Sequence, residues 1–332
     1  MNGSLNFEIL AKTGSARRGI VKTAHGNFET PVFMPVGTQG TIKGLFPEQV
    51  DELKCRMLLG NTYHLELHPG TEKMTLFGGL HKFMNWKHSI LTDSGGFQMV
   101  SLAKLSETTE TGVIFASPRD GTKMLLTPEK SMEIQQAIGS DIAMQLDDVL
   151  KTTTVGDIVE NSMLRSVRWL DRCIDSHSLP TQSVFPIIQG GLDLNLRRKC
   201  IELMLKVGAK GYAIGGLSGG EEKLLFGKVV QYSSTLLPED KPRYCMGVGY
   251  LEDIVVCIIY GVDMFDCVYP TRTARFGTAI TIDGNIQLRH SEYELDFSPI
   301  DSGCCCYTCR NFTRSYIHCL ITKEPSACHL LT

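Results

Sequence analysis

Short apolar runs recur along the chain at Pro31–Val36, Met57–Gly60, Ile90–Asp93, Ile142–Asp147, Val184–Gln189, Tyr212–Leu217, Tyr244–Gly249 and Met264–Tyr269. Their apolar positions are consecutive rather than alternating, the pattern of parallel strands buried on both faces. Most are followed by helix-like segments with their own start signals. Thr127-Pro128 offers an N-cap with proline at the first helical position. Thr154 stands three residues before Asp157, a capping-box-like pair. Asp193 heads a segment with Leu196, Cys200, Leu203 and Val207 on one face. Eight strand-then-helix units predict an α/β fold of the (β/α)8 TIM-barrel class, with a doubly wound sheet as the structural competitor.

Two stretches break this rhythm. Gly112 to Thr127 reads as a hairpin turning near Arg119-Asp120-Gly121, and Ala279 to Leu288 as a hairpin around Asp283-Gly284. The chain has 332 residues, and one barrel uses about 250. The expected division is a barrel with N-terminal strands over 1–275 and a small appended subdomain over 276–332.

Lys and Arg number 33 against 36 Asp and Glu, a net charge of −3. That excludes a generically basic nucleic-acid coat but leaves room for a focal basic patch. The N-terminus lacks the basic and apolar regions of a secretory signal, and no apolar run approaches the length of a transmembrane segment. Of 12 cysteines, four crowd into 304–309 and the rest are scattered. Scattered cysteines in apolar segments pack as small hydrophobes. Cys304, Cys306 and Cys309 form C-x-C-x₂-C, a zinc spacing, with His318, Cys319, Cys328 and His329 as candidates for a fourth ligand.

Chemistry in a barrel gathers at the C-terminal ends of the strands. Asn61 and His64 follow the second run, Asp93-Ser94-Gly95-Gly96-Phe97-Gln98 the third, and Asp147-Asp148 end the fourth. Gln189-Gly190-Gly191 end the fifth, Gly215-Gly216-Leu217-Ser218-Gly219-Gly220 the sixth, and Met246-Gly247 lie in the seventh. Asp266 lies in the eighth, just before Arg272 and Arg275. Asp93, Asp147 and Asp266 thus reach one mouth. Such carboxylates suit glycosidic chemistry, where one attacks or stabilises the anomeric carbon and another moves the proton. The glycine turns permit tight backbone packing or present backbone groups to a flat heterocycle, and the two arginines can clamp phosphate.

Together, Asp93-Ser94-Gly95-Gly96-Phe97-Gln98, Gln145-Leu146-Asp147-Asp148, Gly215-Gly216-Leu217-Ser218-Gly219-Gly220-Glu221, Phe265-Asp266-Cys267-Val268-Tyr269-Pro270-Thr271-Arg272 and the C-x-C-x₂-C resemble tRNA-guanine transglycosylases. The likeness runs from about residue 5 to 331 and is greatest to the eukaryotic catalytic subunits. It implies a zinc-containing barrel that replaces guanine at the first anticodon position of G-U-N tRNAs with the free base queuine. By match, Asp266 would be the nucleophile that attacks ribose C1′ and forms a covalent glycosyl-enzyme, and Asp93 the general acid/base. Asp147, Gln189 and the Gly216 backbone N–H would read the purine edge, and the Leu217 carbonyl would take the side-chain amine of the incoming base. Phe97 and Met246 would sandwich the heterocycle, while Arg272 and Arg275 hold the flanking tRNA.

Bacterial members, which use a smaller base, carry Cys two residues after the Asp147 equivalent and Val in the glycine loop. Here Val149 and Gly219 stand there, which favours queuine. The family's fourth zinc ligand is a His beyond the segment that Ser326–Thr332 resembles. The expectation is therefore a truncated chain without its last barrel helix, with apolar surface exposed on the first and eighth strands. His318 or His329 would then replace the fourth ligand, or zinc binding would weaken. The resemblance further implies a heterodimer with a non-catalytic homologous subunit, in the cytoplasm and peripherally at the mitochondrial outer membrane. The competing readings are a non-catalytic tRNA-binding subunit, an inactive truncated isoform, and a barrel glycoside hydrolase.

Overall fold

The computed structural model describes residues 4–97, 106–116 and 121–331. Gln98 and the expected hairpin turn at Arg119-Asp120 lie outside them. Strands β1 (Asn6–Thr13), β2 (Ala16–Thr23) and β3 (Gly26–Thr30) form an antiparallel sheet. The barrel begins at β4 (Val32–Gly37), β5 (Met57–Gly60) and β6 (Ser89–Thr92). An antiparallel insertion of β7 (Ser106–Thr108), β8 (Val113–Ala116) and β9 (Lys123–Leu126) follows. The barrel resumes with β10 (Ile142–Met144), β11 (Ser183–Phe185), β12 (Ile187–Ile188), β13 (Tyr212–Ile214), β14 (Arg243–Cys245) and β15 (Met264–Cys267). A hairpin of β16 (Thr278–Thr281) and β17 (Gly284–Gln287) comes last.

The barrel sheet is parallel throughout, in the order β11-β10-β6-β5-β4-β15-β14-β13-β12. Only Pro186 separates its two ends. The Phe185 carbonyl accepts from Gln145 N at 3.2 Å on one side, and the Pro186 carbonyl accepts from Ala213 N at 2.8 Å on the other. Proline has no N–H to give to the ladder, so one continuous strand is split into β11 and β12. Counted as one, it closes the sheet into eight strands, each at a run predicted from the sequence. A closed sheet has no free edge, which removes the doubly wound competitor.

The barrel interior is filled by Met34, Val36, Met57, Leu59, Leu91, Ile142, Met144, Phe185, Ile187, Ala213, Tyr244 and Met264. Leu5, Val21 and Phe28 join this cluster from the N-terminal strands and plug the floor. Arg17 in β2 ties that sheet to the barrel. Its Nε reaches Asp263 Oδ1 at 2.8 Å and its Nη2 reaches Oδ2 at 2.5 Å, both side chains being buried. A separate apolar cluster of Ala279, Leu288, Ile300, Ile317, Ile321 and Cys328 sits under the β16–β17 hairpin.

The local signals mostly hold. Thr127 caps the Pro128–Ile138 helix by accepting from Lys130 N at 3.1 Å. Asp193 caps the Leu194–Met204 helix by accepting from Asn195 N and Leu196 N. That helix buries Arg197, Cys200, Ile201 and Met204, so Leu196 and Leu203 only flank the buried face and Val207 falls in a following 3₁₀ turn. The capping pair at Thr154 does not form. Gly156 takes the N-cap with φ +91°, and Asp157 becomes the first helical residue, its charge set against the helix N-terminus.

The expected apolar surface on the outer strands is also displaced. Phe265 is buried and Phe33 half-buried, both packed in a cluster with Ile254, Cys257 and Ile258 of the Leu251–Ile259 helix. That helix itself carries exposed apolar side chains at Leu251, Val255 and Ile259. Among the described residues, no helix is long and apolar enough to cross a membrane.

Candidate active site

Asp93, Asp147 and Asp266 all stand at or just beyond the C-terminal ends of their strands. Asp93, which follows β6, is buried and tied to the end of β5. Thr62 N donates to its Oδ1 at 2.9 Å, and Asn61 Nδ2 donates to Oδ2. The Thr62 hydroxyl donates to its backbone carbonyl. These bonds orient both carboxylate oxygens from one side.

Asp266 sits across the mouth in β15. Its Oδ1 accepts from the Tyr244 hydroxyl at 2.5 Å and from Gly247 N at 2.8 Å. It keeps some accessible surface, yet the surrounding wall removes enough water to raise its carboxyl above the usual range, against the two hydrogen bonds that lower it. Burial pushes the Tyr244 phenol up as well. The negative charge of Asp266, which accepts its hydrogen bond, and that of Asp93 add to that shift.

The third carboxylate forms a different cluster. Asp147 Oδ2 accepts from Gln189 Nε2 at 2.7 Å, and its Oδ1 accepts from the Ser94 hydroxyl at 3.3 Å. Burial raises its pKa to about 6. Gly216 closes the cluster. Its φ is +68°, and a Cβ there would lie 2.3 Å from Gln189 Oε1. Only glycine fits both constraints. A small cavity of about 10 Å³, lined by Thr152, Gln189, Gly190, Gly191 and Gly216, lies alongside.

The glycine loop after β13 is shaped by Glu221, whose carboxylate accepts from Ser218 N at 2.6 Å and Gly219 N at 2.8 Å. A Cβ on Gly219 would meet Thr152 Oγ1 at 2.3 Å. Leu217 turns its side chain against the outer core, while Met246 is half-buried against the barrel interior. A Cβ on Gly215 would lie 3.5 Å from Met246 Sδ. Phe97 is 60% exposed. Arg272 is exposed and Arg275 half-buried on the Tyr269–Arg275 helix that leaves β15. Arg275 Nη1 donates to the Thr271 carbonyl at 2.9 Å.

Cys304, Cys306 and Cys309 bring their sulfurs within 4.8 Å of one another. This donor set suits a thiophilic divalent ion. Cys306 also caps the Tyr307–Asn311 helix, its sulfur accepting from Cys309 N at 3.4 Å. Among the described residues none of the four candidates for a further ligand joins the group. His318 Nδ1 is 2.8 Å from the Leu288 carbonyl, and His329 Nδ1 is 2.8 Å from the Ser326 carbonyl. Cys328 is buried in the apolar cluster, and Cys319 is exposed elsewhere on the Arg314–Lys323 helix.

The family model described as Queuine tRNA-ribosyltransferase matches residues 12–332. The chain belongs to that family. It is 56% identical over 99% of its length to the queuine tRNA-ribosyltransferase catalytic subunit of Caenorhabditis elegans, covering 82% of that protein. To the catalytic subunit of Schizosaccharomyces pombe it is 53% identical, covering 84% of that protein. To the queuine tRNA-ribosyltransferase of Syntrophobacter fumaroxidans it is 49% identical, covering 89%.

Two residues of this transglycosylase site were not singled out for it from the sequence. Tyr244 opens the seventh run, two positions before Met246, and strand alternation puts both on one face. That parity was the available signal. Arg197 is fully buried, and its Nη1 donates to the Ile188 carbonyl and its Nε to the Gly191 carbonyl, both at 2.8 Å. It braces the strand end that carries Gln189. A lone Arg one position past the apolar Leu196 gave no comparable signal.

Proposed function

We propose that this chain exchanges the guanine at the first anticodon position of G-U-N tRNAs for queuine. The observation that carries the reading is Asp266, held by Tyr244 and Gly247 at a barrel mouth that also contains Asp93, in a chain of this family. The Asp266 carboxylate attacks ribose C1′. The C1′–N9 bond to guanine breaks as the C1′–O bond to Asp266 forms. Asp93 hands a proton to the departing guanine and takes one from the incoming base. That base then attacks C1′ and releases Asp266. One bond forms and one breaks in each half, so no nucleotide energy source is consumed.

Asp147 and Gln189 recognise the purine edge, with the Gly216 backbone beside them. The hydrogen bond between these two side chains in the free site is the one a base edge would replace. Leu217 presents its carbonyl to the amine of queuine, Gly219 leaves room for its larger substituent, and Phe97 and Met246 flank the ring. Arg272 and Arg275 take phosphates of the flanking tRNA. Zinc would be held by Cys304, Cys306 and Cys309, where it crosslinks the residues around the small C-terminal cluster and takes no part in base exchange. The eukaryotic resemblance extends the reading to a heterodimer with a non-catalytic homologous subunit, cytoplasmic and peripheral at the mitochondrial outer membrane.

The test is incorporation of labelled guanine into a G-U-N tRNA by this chain with the non-catalytic subunit. Incorporation that disappears in Asp266→Ala supports base exchange. A folded chain that incorporates nothing under any pairing overturns it. Turnover of a soluble glycoside without tRNA would revive the hydrolase reading, for which no structural observation speaks.

A further inference from the structure

At the opposite end of the barrel from the carboxylate mouth, three ligand-type side chains meet. Asp141 immediately precedes β10, His25 lies in the turn between β2 and β3, and His81 lies in the Leu80–Phe83 helix. Asp141 is buried; its Oδ1 accepts from His25 N at 3.1 Å and lies 2.9 Å from His25 Nδ1. Its Oδ2 accepts from Ile90 N at 2.9 Å. The two imidazoles stack at 3.6 Å between centroids, 16° from parallel, so both rings face the same carboxylate. His81 Nε2 lies 3.3 Å from Asp141 Oδ2 but is not aligned for a hydrogen bond. His81 is 8% exposed, and this unaligned approach to the Asp141 carboxylate leaves its buried Nε2 without a well-formed hydrogen bond.

We propose that His25, His81 and Asp141 form a structural site for a borderline divalent transition metal such as zinc or cobalt. One donor atom from each residue lies within 4.8 Å of the others, a span that small side-chain movements contract onto one ion. Two nitrogens and one carboxylate oxygen select against magnesium and calcium, which take oxygen ligands. His81 and Asp141 are buried, whereas the His25 side chain is 39% exposed on its turn. His25 is thus the ligand free to tilt from the stack, and its exposure leaves a further position for water. Coordination through His25 Nδ1 moves that ring's proton to Nε2, and coordination through His81 Nε2 leaves that ring's proton on Nδ1 and replaces the unaligned approach to Asp141 with a ligand bond. The ion would pin the turn of the N-terminal sheet to the floor of the barrel, beside the existing contact between the Thr23 and Ser89 hydroxyls at 2.8 Å.

The experiment is a cobalt titration of the full, metal-stripped chain, followed by absorbance. The thiol cluster announces itself by a sulfur-to-cobalt charge-transfer band, which a nitrogen–oxygen site lacks. The expected result is a second equivalent that adds ligand-field absorption without that band. It should weaken at least tenfold in His25→Ala and in His81→Gln, while the sulfur band stays in both. Raised thermal resistance on cobalt addition should follow the same pattern in Cys306→Ser, where only this site remains. His25→Ala changes a turn residue and is expected to fold. Should it not, His81→Gln carries the comparison alone. Equal stoichiometry in the wild type and a folded variant overturns the proposal and reduces the trio to a hydrogen-bonded network. So does a second equivalent that vanishes with Cys306→Ser.

Discussion

The Tyr244 hydroxyl donates to Asp266 Oδ1 at 2.5 Å, from a strand adjacent to the one that carries the carboxylate. The bond fixes the carboxylate's rotation and lowers a pKa that burial raises. Tyr244→Phe removes the donor but keeps the ring. A hydrogen bond to an ionised group contributes about 1.5–3 kcal/mol, so base exchange should slow roughly 10- to 100-fold. As the proposed nucleophile, Asp266 would have to be ionised to attack. Losing a bond that favours the ionised form raises its pKa, so the acidic limb of the rate profile should move to higher pH. A slower enzyme with an unmoved limb would assign Tyr244 to packing alone.

Asp147 makes the opposite demand on pH. Burial raises its pKa to about 6 from the ordinary aspartate value of 3.8. The folded state therefore binds more protons than the unfolded one between those values. Stability from this group is fully present below about pH 4 and is lost as pH rises through about 6. The difference corresponds to roughly 3 kcal/mol at neutral pH. Asp147→Asn keeps the shape and an acceptor for Gln189, so its thermal midpoint should exceed the wild type's at pH 7 and match it near pH 4. The same substitution should impair base binding, and the separation of the two effects marks a residue placed for recognition at the expense of stability.

Much of this was legible in the sequence for identifiable reasons. The eight barrel strands were visible because parallel strands covered on both faces must be apolar at consecutive positions. Asp93, Asp147 and Asp266 were visible because strand ends in this fold point to one mouth. Thr127 and Asp193 were legible as caps because their partners are local. The Thr154 signal failed because Gly156, with its positive φ, offers the backbone a closer place to start the helix. The split at Pro186 and the burial of Arg197 depend on neighbouring strands and are not local. The trio of His25, His81 and Asp141 was invisible because its members are scattered along the chain and meet only when the barrel closes.

Gly219 faces Thr152, whose hydroxyl would lie 2.3 Å from an added Cβ. Gly219→Val must therefore displace the glycine loop or Thr152 as well as occupy the space assigned to queuine's larger substituent. Queuine incorporation should fall at least tenfold while exchange of labelled guanine falls less. Adding Thr152→Ala removes the hydroxyl and should restore guanine exchange without restoring queuine. If Gly219→Val leaves queuine use intact, the loop does not set base size.

The paired charges of Arg17 and Asp263 give a stability test remote from the chemistry. Both side chains are buried, and Asp263 also accepts from Arg243 N at 2.7 Å. Removing one member of such a pair strands the other without compensation, at about 3–5 kcal/mol. Arg17→Ala should lower the urea midpoint accordingly. Because Arg17 also donates to the carbonyls of Glu239 and Lys241, its loss frees two further acceptors, and Arg17→Lys should recover only part of the effect. A loss below 1 kcal/mol would place the N-terminal sheet outside the cooperative unit of the barrel.

The thiols of Cys304, Cys306 and Cys309 supply the last test. Cys306→Ser deletes a proposed metal ligand and exchanges the sulfur that caps the Tyr307–Asn311 helix for an oxygen, which caps at least as well. Any loss of stability in this variant is therefore assigned to the metal rather than to the helix. Zinc content measured after exhaustive dialysis should fall relative to the wild type. Protease cleavage within 279–331 should accelerate, since the small apolar cluster there loses its crosslink while the barrel core is untouched. Chelation of the wild type should reproduce the cleavage pattern, and restored zinc should reverse it in the wild type only. Resistance to protease that is unchanged by both treatments would show that Ala279, Leu288, Ile300, Ile317 and Ile321 hold this part of the chain without metal.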